Sequence, residues 1–227
     1  VRQVFERELI QSESFTTSAD AAWLGIEVKE QDGAVVVTDV VDGSPAKRAG
    51  VARGDVVESI GQQPVRSTLD YLRRIVEARP REPFPLALRR GKDAIAVSPR
   101  PISRTNAITV ASIGAELEEV GLDDDANLVR AATVAFYRDS GLRRYPPLPA
   151  VLRITDVQPD SPAASIGLKQ GDVMLAVFGN TMFGEREYPV TSLQRFAKLL
   201  QDRRGKNLKI AILRGDDDLV GTIDVKK

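Results

Sequence analysis

Thr38–Val65 reads TDVVDGSPAKRAGVARGDVVESIGQQPV, and Thr155–Met182 reads TDVQPDSPAASIGLKQGDVMLAVFGNTM. The two stretches lie 117 positions apart, align without a gap and share ten identical residues. A period this long exceeds that of solenoid repeats and suits two copies of one small domain. For a chain of 227 residues this predicts two domains of roughly 90 to 120 residues each.

Composition narrows the function by exclusion. The 32 basic and 32 acidic residues cancel, so the chain lacks the basic footprint that a nucleic-acid backbone requires. No apolar run approaches the ~18 residues needed to cross a bilayer. There is no His and no Cys. A Ser-His-Asp triad, a Cys-His dyad, a zinc site of the usual ligands and a disulfide are therefore impossible within these residues, and no metal or cofactor is expected. Lack of Cys suits the cell envelope and the cytosol equally. The chain starts at Val1 without an initiator Met or a signal-peptide pattern, which reads as a mature product or an excised piece.

Each copy opens with a β-branched strand, Val35–Val40 or Leu152–Val157. Ser44-Pro45-Ala46 and Ser161-Pro162-Ala163 then predict a short helix, with Ser as N-cap and Pro at the first helical position. Gly50 and Gly167 are placed to close that helix in the left-handed conformation. Gly54-Asp55 and Gly171-Asp172 predict a turn whose carboxylate accepts turn amides, and a strand resumes at Val56 or Val173. Downstream, Thr68–Val76 and Ser192–Leu200 carry one apolar helical face each, matching Leu69 with Leu193, Leu72 with Phe196, Ile75 with Leu199 and Val76 with Leu200. Hairpins turning at Arg90-Gly91-Lys92-Asp93 and Arg214-Gly215-Asp216-Asp217 end the copies.

With these residues in place the chain resembles tandem PDZ domains, and more narrowly those of bacterial HtrA-type serine proteases. The signature S-P-A-x-x-x-G-ϕ-x-x-G-D-V (ϕ apolar) stands at 44–56 and 161–173. The resemblance implies an α+β, mainly β architecture: two partly open β-barrels or sandwiches, each with one short and one longer helix. It divides the chain into an N-terminal segment 1–18, a first domain 19–99, a linker 100–107 and a second domain 108–227 with an insertion near 121–150. Residues Val1, Val4, Phe5 and Leu9 suggest a short helical stripe ahead of the first domain.

The resemblance also implies where a ligand sits. PDZ domains use an X-ϕ-G-ϕ loop whose amides receive a peptide's C-terminal carboxylate, while the next strand pairs with the peptide. In the first copy this pattern falls on Trp23, Leu24, Gly25 and Ile26, with Val28, Leu69, Leu72 and Val76 lining an apolar pocket. Charge-assisted bonds of about 1.5–3 kcal/mol each and burial of one apolar side chain together reach micromolar affinity. A β-branched residue at Gly25 is expected to abolish binding with the fold kept. In the second copy the groove would involve Ile113, Gly114, Ala115, Leu117, Leu193, Phe196 and Leu200. The insertion reads as a helix over Ala126–Ser140 capped by Gly141, although Val129, Thr133, Val134, Phe136 and Tyr137 also suit a strand. It is expected to narrow or occupy that groove, leaving the first copy as the main receptor; the alternative is a tolerated loop insertion.

Other motifs carry less. Ser44-Pro45-Ala46-Lys47 fits S-x-x-K, but its companion motifs are absent and Ser44 already caps a helix. Asp123–Asp125 and Asp216–Asp218 lack calcium-loop spacing. Pro146-Pro147-Leu148-Pro149 stiffens a loop. The expected activity is a non-catalytic module binding polypeptide C-termini or exposed apolar segments, with no nucleic-acid partner. The alternatives are the regulatory part of an HtrA-like endopeptidase, and an assembly module with both grooves closed. The resemblance alone implies a periplasmic, cell-envelope or other extracytoplasmic location and leaves a homo-oligomer open.

Overall fold

A computed structural model describes residues 21–140, 144–182 and 184–226; the expected stripe at 1–18 and the Gly141 cap lie outside them. The first copy runs β1 (Ala22–Trp23), β2 (Ile26–Gln31), β3 (Ala34–Val40), α1 (Pro45–Arg48), β4 (Val56–Ile60), β5 (Gln63–Pro64), α2 (Thr68–Glu77), β6 (Leu86–Arg90) and β7 (Asp93–Val97). Then follow β8 (Ile102–Ser103), α3 (Arg104–Ile113), β9 (Ala115–Gly121), α4 (Ala126–Tyr137), β10 (Ala150–Val157), α5 (Pro162–Ser165), β11 (Val173–Thr181), β12 (Gly184–Pro189), α6 (Leu193–Asp202), β13 (Asn207–Arg214) and β14 (Asp217–Asp224). The strands build two open antiparallel sheets, β2-β3-β4-β6-β7 and β9-β10-β11-β13-β14, with β5 and β12 paired to β4 and β11. Neither sheet closes on itself, and β2 and β9 are edge strands.

The duplicated signature folds twice in the same way. Ser44 accepts the Lys47 amide and Ser161 the Ala164 amide, each at 3.1 Å. Gly50 and Gly167 follow the two short helices at φ +85° and +75°, conformations that cost a side chain its usual backbone freedom. Asp55 accepts the Ala52 amide at 2.9 Å and Asp172 the Lys169 amide at 2.8 Å. Each carboxylate is also gripped by an arginine from the terminal hairpin. Arg90 donates to Asp55 at 2.7 and 2.9 Å, and Arg214 to Asp172 at 2.7 and 2.7 Å. The same guanidinium groups reach the carbonyls of Gly50 and Gly167, so one residue ties short helix, turn and hairpin together.

The second copy is elaborated beyond one short and one longer helix. Its inner core gathers Leu117, Leu152, Ile154, Phe196, Leu200 and Ile210, among others. A separate cluster, including Val129, Ala132, Val151, Leu175 and Leu213, lies beneath α4. The insertion thus forms the expected helix, N-capped by Asp125 through the Leu128 amide at 3.0 Å. It packs on β9, β10 and β11, away from α6. The expectation that it narrows or occupies the second groove is therefore wrong. Val129 and Ala132 are buried against the sheet's outer face, so that burial fixes α4 there.

The expected linker 100–107 carries β8 and the first turn of α3. β8 pairs with β1, matching Trp23 with Ile102 and Ala22 with Ser103. Further bonds cross between the copies: Arg48 to Glu116 and Arg81 to Glu118, both 2.6 Å, and Gln158 Nε2 to the Gly43 carbonyl at 2.5 Å.

Burial alone would raise the pKa of Asp55, whose side chain is fully enclosed. The Arg90 hydrogen bond, the Ala52 amide and the Arg90 charge overcome it and hold the carboxyl below its usual value. Because the folded-state value lies below the unfolded one, this stabilisation is complete above about pH 4 and is lost as pH falls through the folded-state value. Replacing Asp55 by Ala removes the acceptor of the Ala52 amide and of Arg90, as Asp172→Ala does for the Lys169 amide and Arg214, and each should destabilise its own copy by about 1–2 kcal/mol, since the arginines left behind are partly exposed. Urea unfolding at pH 7 and pH 3 measures this, with the gap between Asp55→Ala and wild type shrinking at the lower pH.

Candidate functional site

Gly25 sits at φ +77° between β1 and β2, pressed against the signature serine: an ideal Cβ there would lie 2.3 Å from Ser44 Cβ and 2.8 Å from Trp23 Cη2. The adjacent carbonyls are engaged, Leu24 by the Ala46 amide at 3.1 Å and Gly25 by the Val41 amide at 2.9 Å. No acceptor among the described residues takes the amides of Leu24 or Gly25. Two neighbouring N–H groups are thus left beside a glycine, an arrangement suited to an anion. Leu24 itself is buried in the first core and contributes backbone only, while Trp23 is half-buried and forms the β1 rung.

The helix beside this loop splits its apolar residues between two jobs. Tyr71 and Ile75 pack into the core, and burial pushes the Tyr71 phenol pKa up. Leu69, Leu72 and Val76 are 59%, 38% and 74% exposed. These three recur at i, i+3 and i+7, a stripe of their own on α2. Ile26 and Val28 are half-buried at the rim of the core. The N-terminus of α2 is pinned to β2, the Thr68 amide donating to Glu30 at 3.0 Å. Ser67 and Asp70 close a capping box just before it. The result is an edge strand and a helix, fixed at one end, with an uncovered apolar stripe and two free amides at the other.

The second copy repeats the frame and reverses its exposure. Gly114 has φ +73°, and its ideal Cβ would lie 2.2 Å from Ser161 Cβ. The Leu193 amide at the start of α6 donates to Glu119 at 3.0 Å, the counterpart of Thr68 on Glu30. Here, however, α3 lies between β9 and α6, packing on both. The Gly114 amide donates to the Val110 carbonyl at 2.9 Å. The Asn106 side chain accepts the Leu117 amide through Oδ1 and donates Nδ2 to the Leu117 carbonyl, each at 2.8 Å. Thr109 Oγ1 donates to the Ala115 carbonyl, also at 2.8 Å.

Consequently Ile113, Ala115, Leu117, Phe196 and Leu200 are all at most 2% exposed, Gly114 is buried and only Leu193 is half-buried. The residues expected to line an open second groove come together, but around α3. Nothing in the sequence singles out Asn106. The one available signal is the run of Thr105, Asn106, Thr109 and Ser112 on a helix that is apolar apart from these and Arg104, all four buried.

Charge at the join is balanced. Burial raises the pKa of Glu118, but hydrogen bonds from Arg81 and Arg153 outweigh it and hold the carboxyl below the usual range. Being depressed on folding, it stabilises above the unfolded pKa and ceases to as pH falls through the folded one.

Residues 36–90, which hold most of the first copy's frame, match the PDZ domain family model. The resemblance to HtrA-type proteases holds in the comparisons. The periplasmic serine endoprotease DegP of Salmonella typhimurium is 29% identical over 201 residues, covering 86% of this chain and 34% of that protein. A DegP-like periplasmic serine endoprotease of Brucella suis is 26% identical over 180 residues, covering 73% and 33%. The chain therefore spans about a third of the length of the curated relatives it matches. Among solved structures, the HtrA3 PDZ domain bound to a phage-derived ligand (FGRWV) aligns at 24% identity and TM-score 0.31, covering 35% of this chain and 84% of that one. The HtrA-type protease AlgW with decapeptide aligns at 22% identity and TM-score 0.36, covering 44% and 35%.

The contact between loop and signature alters one expectation. A β-branched residue at Gly25 cannot leave the fold intact, because φ +77° strains it and its Cβ meets Ser44. Gly25→Val and Gly114→Val should each cost about 3 kcal/mol or more, read as a fall in thermal midpoint of the copy concerned.

Proposed function

We propose that the first copy is the receptor of this chain and takes the C-terminus, or an exposed apolar segment, of another polypeptide. The unpartnered Leu24 and Gly25 amides beside the open β2 edge are the observation that supports this most directly. The ligand carboxylate accepts from those amides, its backbone pairs with β2 through Val28, and its last side chain packs among Ile26, Leu69, Leu72 and Val76. In this reading Trp23 braces the loop through β8. The chain itself is non-catalytic in this reading: with no His and no Cys it cannot build a Ser-His-Asp triad or a Cys-His dyad.

The relatives favour a second, wider reading: the chain is the regulatory and substrate-recognising part of a periplasmic serine endopeptidase whose catalytic domain lies upstream. An open reading frame containing a trypsin-like domain ahead of Val1 would support it, and one without would leave a stand-alone adaptor.

Binding is tested by fluorescence titration with a labelled decapeptide ending in Val and carrying a free carboxylate. Amidating that carboxylate should weaken binding at least tenfold, since two charge-assisted bonds are lost. Leu72→Glu and Val76→Glu should weaken it about tenfold as well, while changing stability by no more than about 0.5 kcal/mol because both positions are exposed. Unchanged affinity on amidation would mean that internal segments are read instead. Unchanged affinity in both Glu variants would remove α2 from the site.

A further inference from the structure

The second groove offers a ligand the same three things as the first, and α3 takes all three. The edge of β9 is met at Leu117 by the Asn106 side-chain amide, one donor and one acceptor, as a peptide unit of an added strand would meet it. The glycine of the loop is itself the left-handed C-cap of α3, so its amide is spent closing that helix on the Val110 carbonyl and is not open to a ligand. That end of a helix carries partial negative charge, the sign of a carboxylate. The apolar face of α6 is covered, leaving Val110 and Ile113 3% and 0% exposed. Where α3 begins, a cleft of about 540 Å³ remains open, lined by Pro80, Arg81, Asn106, Glu118, Ser192 and Leu193. It leaves a way into the groove from the end at which a peptide's upstream residues would emerge.

We propose that α3 is the resident intramolecular occupant of the second groove, which is a latent binding site for a polypeptide C-terminus. Release of α3 frees the Leu117 backbone, the Ala115 carbonyl and the Gly114 amide, and uncovers Phe196 and Leu200. A C-terminal peptide and α3 are then mutually exclusive. The inference rests on the reading of the first groove as a C-terminus receptor, but it concerns a different set of residues and is scored on different amides.

The test uses the full chain and the Val-ended decapeptide, followed by amide NMR and by calorimetric stoichiometry. Wild type should bind one peptide, perturbing Leu24–Val28 and leaving Ala115–Glu119 unmoved. Two variants loosen α3 by different routes. Asn106→Ala with Thr109→Val removes the bonds to β9. Ala107→Gly with Ala111→Gly keeps those bonds and weakens the helix itself, enough to raise second-site affinity by about tenfold or more. Each variant should bind a second peptide and shift Ala115–Glu119, and amidation should remove that second event. If the first variant unfolds the second copy, the glycine pair decides the matter. Saturable binding at Ala115–Glu119 in wild type, of the strength seen in the variants, would overturn the proposal. So would variants that bind nothing there, whether α3 stays docked or leaves. A second-site response without any shift at Leu24–Val28 would support the latent site while refuting the first-groove reading.

Discussion

The geometry of both glycine loops depends on a close approach between a glycine and a serine. Ser44 caps a one-turn helix, and its Cβ stands where a side chain on Gly25 would have to be. The same holds for Ser161 and Gly114. The contact fixes the loop relative to the short helix, and the Leu24 carbonyl bonded to Ala46 locks the register. The loop is held by steric exclusion and a backbone bond rather than by a ligand. Pre-set donors spare a ligand the ordering cost that flexible ones impose. The duplicated signature is thus both scaffold and jig: it packs each core and holds each loop in place.

Against that constant frame, the two copies differ in what lies along the helix. The stripe at Leu69, Leu72 and Val76 is uncovered, whereas Phe196 and Leu200 are shut in. The difference comes from ten residues, Arg104–Ile113, that enter the second copy from the first. A buried side-chain amide satisfied on both its polar atoms, with Thr109 bonded beside it, makes the packing specific as well as apolar, since any other register would orphan those groups.

The sequence was most informative where the same local chemistry occurs twice. Strand, N-cap, left-handed glycine and Gly-Asp turn could be read from Thr38–Val65 because its partner restricted each residue to roles both could play. The helix in the insertion was legible from the acidic run Asp123–Asp125 ahead of it, whereas its apolar residues suit a strand equally well. Its location was not, because periodicity shows that a face is buried without showing what buries it. The same limit hid α3: Asn106 reads as an ordinary polar residue until Leu117 is seen beside it. Arg90 and Arg214 were passed over for a related reason, since a guanidinium before a hairpin glycine looks solvated. Their bidentate grip on a buried carboxylate appears only when turn and hairpin meet. At the first groove the glycine loop was readable from pattern, whereas the division of α2 into a core stripe and an open stripe needed the fold.

The two-residue pairing of β1 with β8 has an effect on the order in which the protein is made. Trp23, at the mouth of the first groove, finds its partner Ile102 only after the whole first sheet has been synthesised. The pairing is non-local, and such contacts form late because a long loop must close first. The loop that the first copy would present to a ligand is therefore finished by residues beyond that copy's last hairpin. A nascent chain that has emerged only as far as Val97 holds every residue of the first core but lacks the strand that completes the mouth.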